Sequence, residues 1–341
     1  MTSPLKKPNA KKRRRVAPLI MLFLLAPAIG ELLSGSSPPV EFFNPFPLLT
    51  LTFLYGSGAV IVHELKVRWR KDYRAILLLG AAYGILEEGL MVKSFFDPSW
   101  MDLGILGTFG RYAGVNWVWA EMLIIYHMVF SITIPIVIVG LVYPDLKNER
   151  WTTNRSFMLF AAMLVGITIF GYLFLTPFVP PLPQYSIAII AMSVIIYLAY
   201  KQPALKILVT NISRPRNAYL AGLAFGTSFF IIDFAGPYIL GHPIIVMIIG
   251  FFLVYLIWLF VKHYDWESSR SAMSRWAIIA GALSFMITLA FLQELDKSRP
   301  DNTSFMGLVG LIAILLLLLL WKKVKKDMKV KESELLPPPF E

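Results

Sequence analysis

Two adjacent glutamates, Glu87 and Glu88, stand at the end of the apolar stretch Gly80-Ala-Ala-Tyr-Gly84-Ile-Leu. Two neighbouring carboxylates cannot both ionise cheaply in a low dielectric, so the pair is a candidate general base or proton carrier. A four-residue step places Gly80, Gly84 and Glu88 on one helical stripe, and small residues on a stripe let a neighbouring helix come close. Glu88 is therefore expected to face a tightly packed helix, with Glu87 turned about 100° away. The bland alternative pairs Glu88 with Lys93 or Arg111 and gives it a packing role only. His127, in the middle of the following apolar run, is a second candidate. Glu121 lies six residues before it and on another face of an α-helix.

Glu31 precedes Ser34-Gly35-Ser36-Ser37-Pro38, where hydroxyls and a turn either cap a helix or line a polar cavity; the cavity is the expectation. Glu31, Glu121, Lys93 and Arg111 are accordingly candidate substrate or ion contacts. Asp233, just before Gly236-Pro237, reads as a helix-end residue, and Gly222 with Gly226 as a packing stripe. With no cysteine and no histidines at ligand spacing, no metal set is assigned, and no cofactor is identified.

Glu87-Glu88 on one helix and His127 on the next resembles the CAAX-protease and bacteriocin-processing family of intramembrane peptidases. The resemblance covers the third and fourth apolar runs. It implies that Glu87 activates water, Glu88 supports it, and His127 contacts the developing charge. Val92 stands where that family's Glu-Glu-x-x-x-Arg motif has arginine, with Lys93 next to it, and Leu123 stands where its Phe-x-x-x-His motif has phenylalanine.

The elements that must hold these residues are set by composition. The 341 residues are 57% hydrophobic and 16% charged, with mean hydropathy +0.65, far more apolar than a soluble chain. Runs long enough to span a bilayer occur near 16–33, 47–65, 75–96, 117–143, 156–175, 185–200, 218–235, 243–262, 274–292 and 304–322. The fold class is thus an all-α polytopic bundle of about ten spans. The basic start followed by residues 16–29 also has the form of a signal peptide, but Pro27 disfavours cleavage, and an uncleaved first helix is expected. All but four of the 32 Lys and Arg lie before the first run, in alternate connections or after the last, as the positive-inside rule requires of a chain with both termini cytoplasmic. This clustering also makes nucleic acid a poor partner for the net charge of +11.

The chain divides into a basic segment 1–15, a transmembrane half 16–155 rich in polar residues, an apolar half 156–322 and a basic tail 323–341, expected to be disordered and to end at Pro337-Pro338-Pro339. The expected location is the cell membrane, the expected partner the lipid bilayer, and the expected substrate a peptide or small molecule. Four functions fit. The first is an intramembrane hydrolase or peptidase using Glu87 and Glu88. The others are a secondary transporter of a cation, proton or cationic solute, a metal-assisted enzyme, and a structural or assembly subunit. The adjacent acidic pair on a glycine-faced helix favours the hydrolase.

Overall fold

The computed structural model describes residues 10–203 and 211–335. These residues form an all-α bundle with one short hairpin, β1 (Arg111–Tyr112) and β2 (Val115–Asn116). Helices are the form in which apolar spans satisfy every backbone group without water. Nine helices among the described residues are long and apolar enough to cross a membrane. They are α1 (Arg15–Leu33), α2 (Pro45–Arg68), α4 (Trp117–Val142), α5 (Asn154–Phe174), α6 (Leu182–Lys201), α7 (Pro215–Ile239), α8 (Pro243–His263), α9 (Ser269–Leu295) and α10 (Met306–Val330). The remaining long helix, α3 (Tyr73–Gly84, continued by Ile85–Met91), has the length but carries Arg74, Glu87 and Glu88. Its charge content, not its extent, sets it apart. Loops rich in Lys and Arg gather at one end of the bundle, called here the basic end; residues 92–116 lie at the opposite end, called the acidic end because Glu87 and Glu88 lie toward it.

Local chemistry starts the helices where the runs begin. Asp72 accepts from the Arg74 N–H at 2.9 Å to open α3, and Asn116 accepts from the Trp119 N–H at 3.0 Å to open α4. Thr153 and Ser156 form a reciprocal capping box on α5. Pro215 and Pro243 occupy first-turn positions in α7 and α8, where a missing N–H costs nothing.

Helix α4 is central: 78% of its apolar stretch is buried, against 11% for α5, α6 and α8, which present Leu, Ile and Phe side chains outward. A helix that is apolar on every side has to sit inside other helices or lipid. Gly80 and Gly84 bring α3 against it, since a Cβ at Gly80 would lie 3.0 Å from the Met128 backbone and one at Gly84 3.1 Å from Ile124 Cα. In the second half, Gly222 and Gly226 of α7 abut the backbone of α9 at Ile278 and Ala282, the packing role expected of them.

The tail differs from expectation. Residues 306–335 form one helix that runs on through the lysines. Val324 is buried and Met328 packs against the core, while Lys323 and Asp327 pair at 2.5 Å one turn apart. Lysine is a good helix former, and an i,i+4 pair adds a few tenths of a kcal/mol. Pro337-Pro338-Pro339 lie outside the described residues.

The basic end is tied together by a buried carboxylate absent from the sequence reading. Glu64 of α2 accepts the N–H groups of Trp151 and Thr152 at 2.6 and 3.1 Å and the Arg68 guanidinium at 3.2 Å. His63 stacks on Trp151 with ring centres 3.5 Å apart. Beside them Lys147, in the loop after α4, donates to the Glu267 carbonyl and lies 3.8 Å from its carboxylate. Burial, reinforced by the nearby Arg275 cation, lowers the Lys147 ammonium to about 8. Above that pH the unfolded chain binds more protons than the folded one, so folding gains stability as pH rises from about 8 to 10.5. The melting temperature of detergent-solubilised wild type, measured against Lys147→Met, is expected to rise across that window by the equivalent of up to about 3 kcal/mol. A constant difference between the two proteins would show that Lys147 titrates normally.

Candidate functional site

Four stretches among the described residues leave α geometry for the wider π form: Ala28–Leu33, Thr52–Gly56, Ile85–Met91 and His127–Thr133. Each supplies part of one polar cluster. In chain order they carry Glu31, Tyr55, the pair Glu87 and Glu88, and His127 with Ser131. A π turn bonds residue i to i+5, as where the Val92 N–H donates to the Glu87 carbonyl at 2.9 Å. Such turns are rare and concentrate at functional sites.

The π turn also corrects the expected divergence of the glutamates. More residues per turn means that successive side chains are separated by less than in an α-helix, so both carboxylates reach the same imidazole. Glu87 Oε2 lies 3.4 Å from His127 Nδ1, and Glu88 Oε1 lies 3.2 Å from Nε2. Ser131 Oγ is 3.0 Å from Nδ1, one turn along α4. The histidine is 2% exposed, and the rings of Tyr55, Tyr83 and Tyr126 surround it at 5.4 to 6.0 Å between centres. Glu31 joins through Tyr55, whose hydroxyl donates to Glu31 Oε1. Tyr126 donates to the Gly30 carbonyl at 2.5 Å, which fixes the end of α1 against α4.

The cluster opens toward the acidic end. Glu88 is partly exposed; its Oε2 accepts from Ser94 Oγ at 2.5 Å, and Ser94 in turn accepts from Trp119 Nε1 at 3.0 Å. In the loop above, partial burial and the Glu88 charge together hold the Asp102 carboxyl above the usual carboxylate range. On the other side the site is closed by Ile76, Leu79, Ile132 and Ile136, all buried.

No lysine or arginine among the described residues forms an ion pair with the three carboxylates. Lys93 donates to the carbonyls of Tyr172 and Thr176 at 2.6 and 3.0 Å, and Arg111 to those of Phe96, Gly107 and Asp97 at 2.9, 3.0 and 3.2 Å. Both side chains hold the irregular 92–116 segment and its surroundings instead. Glu121 is buried on another face, against Gly250 of α8, and shares its surroundings with Asp233. Asp233 is inside α7 with Oδ2 unpartnered, away from the helix-end position expected of it. Ser34 donates to the carbonyls of Gly30 and Glu31, capping α1, while the Glu31 side chain itself turns inward.

The structure thus brings Glu31, Glu87, Glu88 and His127 together, and places Glu121, Lys93 and Arg111 elsewhere. It adds Tyr55, Tyr83, Ser94, Tyr126 and Ser131, which sequence reasoning passed over. Ser131 and Tyr83 were within reach of it, standing four residues from His127 and Glu87. One residue of α1 also tests the packing of the site. A Cβ on Gly30 would lie 2.6 Å from the Tyr55 ring and 3.1 Å from Ser131 Oγ. Gly30→Ala is expected to lower the melting temperature by the equivalent of about 1–3 kcal/mol, whereas Gly166→Ala, inside α5 with open space around it, should leave it unchanged or raise it by the equivalent of up to about 1 kcal/mol.

Neither the curated proteins nor the solved structures contain a match to this chain. The resemblance to the CAAX-protease and bacteriocin-processing peptidases is overturned by the family model that does match, which is a different one. The shared Glu-Glu and His are residue types that any buried acid–base cluster draws on, and Val92 takes the arginine position of that motif without a basic group replacing it at the carboxylates. By its match over residues 20–320, the chain belongs to an uncharacterized membrane protein family.

Proposed function

We propose that the protein is a membrane-embedded hydrolase that activates water at Glu87, Glu88 and His127. The observation that carries this reading is the arrival of all four π stretches, with their polar side chains, at one buried point. A stability-driven fold has no need to interrupt four helices at the same depth, and such departures from regular geometry are retained where a site requires them.

The roles follow from the geometry. Glu87 Oε2 is buried and accepts no hydrogen bond, so it is free to take a proton from water. His127, between the two carboxylates, supplies positive charge or a hydrogen bond to an oxygen that becomes negative in the transition state. Glu88, tied to Ser94 at the mouth, orients the imidazole from its other nitrogen. Tyr55 and Glu31 stand behind as a second acceptor for the proton. Buried apolar side chains favour reaction over passage: a transported ion would have to pass Ile76, Leu79, Ile132 and Ile136, all buried.

The test uses purified protein in liposomes with fluorogenic esters and amides bearing apolar tails. Glu87→Gln is expected to reduce turnover by about a hundredfold or more, with a melting temperature equal to or above that of wild type. A Glu87→Gln/Glu88→Gln double variant that keeps wild-type turnover would eliminate the reading. Glutamine variants that melt far below wild type would make the carboxylates structural.

A further inference from the structure

Resting on that hydrolytic reading, we infer that Glu87, Glu88 and His127 bind a divalent cation of the zinc or manganese kind. One ligand atom from each of the three residues lies within 4.8 Å of the other two. A cation about 2.0–2.2 Å from each donor needs donors roughly 3–4 Å apart, so small side-chain adjustments close the set. The imidazole is already held as a ligand histidine is held. Ser131 Oγ lies 3.0 Å from Nδ1, which leaves Nε2 facing Glu88 Oε1. Glu88 has its own support in Ser94, and Ser94 in Trp119.

Two further observations point to a ligand here. Glu87 Oε2 is buried without a hydrogen-bond partner and lies 3.4 Å from Nδ1, so a rotation of the Glu87 carboxylate brings an oxygen round to the Nε2 side. The charge is also unbalanced: Lys93 and Arg111 bond to carbonyls, so one imidazolium at most offsets Glu87 and Glu88. A divalent cation balances both carboxylates. On binding it takes the Nε2 lone pair in place of a proton, and that proton leaves toward solvent past Glu88. Two carboxylates and one imidazole are a harder set than thiolates and contain a nitrogen, which selects zinc or manganese over calcium. Three protein ligands leave a coordination position for water, the arrangement of a catalytic rather than a structural site; once bound, the cation replaces the imidazolium as the positive charge, and Glu87 ligates through one oxygen and keeps the other as base.

The experiment is a titration of the full-length chain in detergent, stripped with a chelator and then offered Zn²⁺ or Mn²⁺. Binding is read by metal analysis after dialysis and by melting temperature. Wild type is expected to retain one equivalent per chain and to melt higher with metal. His127→Ala is expected to retain none, and Ser131→Ala, which keeps all three ligands, to bind about 10–100-fold more weakly. Glu88→Gln is expected to retain none; if it does not fold, Glu88→Asp, which keeps the carboxylate, is expected to bind more weakly than wild type. Absence of stoichiometric metal in wild type, or equal retention by wild type and His127→Ala, overturns the inference. The two proposals fail differently. Wild type that hydrolyses the substrates yet retains no metal removes the cation and leaves the hydrolase, whereas one bound equivalent with no hydrolysis of any ester or amide leaves the cation and removes the hydrolase.

Discussion

An excess of carboxylate over cation, enclosed in the low-dielectric middle of a helical bundle, is the condition around which this protein is arranged. Glu87 and Glu88 converge on a single imidazole, Glu31 joins them through Tyr55, and none of the three forms an ion pair with lysine or arginine among the described residues. Burying such groups is expensive, and a fold keeps them only where the surrounding structure holds them in place. Glycines at 30, 80 and 84 bring three backbones close enough to do so, and three tyrosines with two serines fill the remaining space with hydroxyls. The central position of α4 follows from the same requirement, because it presents His127 to the first half of the chain while its other faces pack against the second.

The two ends of the bundle handle charge in opposite ways. At the basic end the Glu64 carboxylate bonds backbone N–H groups and arginine, and Lys66 has asparagine and glutamate as partners, while the Glu267 carboxylate is held by ion pairs with Lys66 and Lys147 and accepts no hydrogen bond. That arrangement fixes loops, and a buried ion paired with an opposite charge is compatible with a purely structural role. Toward the acidic end the carboxylates of Glu87 and Glu88 face only an imidazole as counter-ion. The two clusters differ in their counter-ions: lysine and arginine at the basic end, a histidine alone at the other.

Much of the architecture was legible because span length and charge placement are one-dimensional properties. The extents of nine spans followed from runs of apolar residues, and α3 was found despite its acids. The Gly80, Gly84, Glu88 stripe was legible for a related reason: a four-residue step is a property of any α-helix. What stayed hidden depends on departures from that regularity. Glu87 joins Glu88 at the imidazole only because the helix widens at Ile85, and apolar periodicity carries no mark of a π turn. Lys93 and Arg111 looked like counter-ions because opposite charges nearby in sequence suggest pairing, yet carbonyls at the end of α5 take Lys93 and those of the irregular loop take Arg111. Glu64 was overlooked because its partners are backbone N–H groups more than eighty positions away.

The π turns have a consequence for how this chain can vary over evolutionary time. A π turn amounts to one residue more than an α-helix would use over the same rise, so each of the four stretches contains, in effect, an insertion. Loss of a single residue between Ile85 and Met91 would restore regular α geometry while leaving the composition and hydropathy of the span untouched. Everything beyond the deletion would then rotate by about 100° and move up by about 1.5 Å, turning one carboxylate out of the cluster. Relatives that conserve the function should therefore tolerate exchange of apolar side chains along these spans far better than any change in their length, and gaps in an alignment should fall in the loops and avoid residues 28–33, 52–56, 85–91 and 127–133.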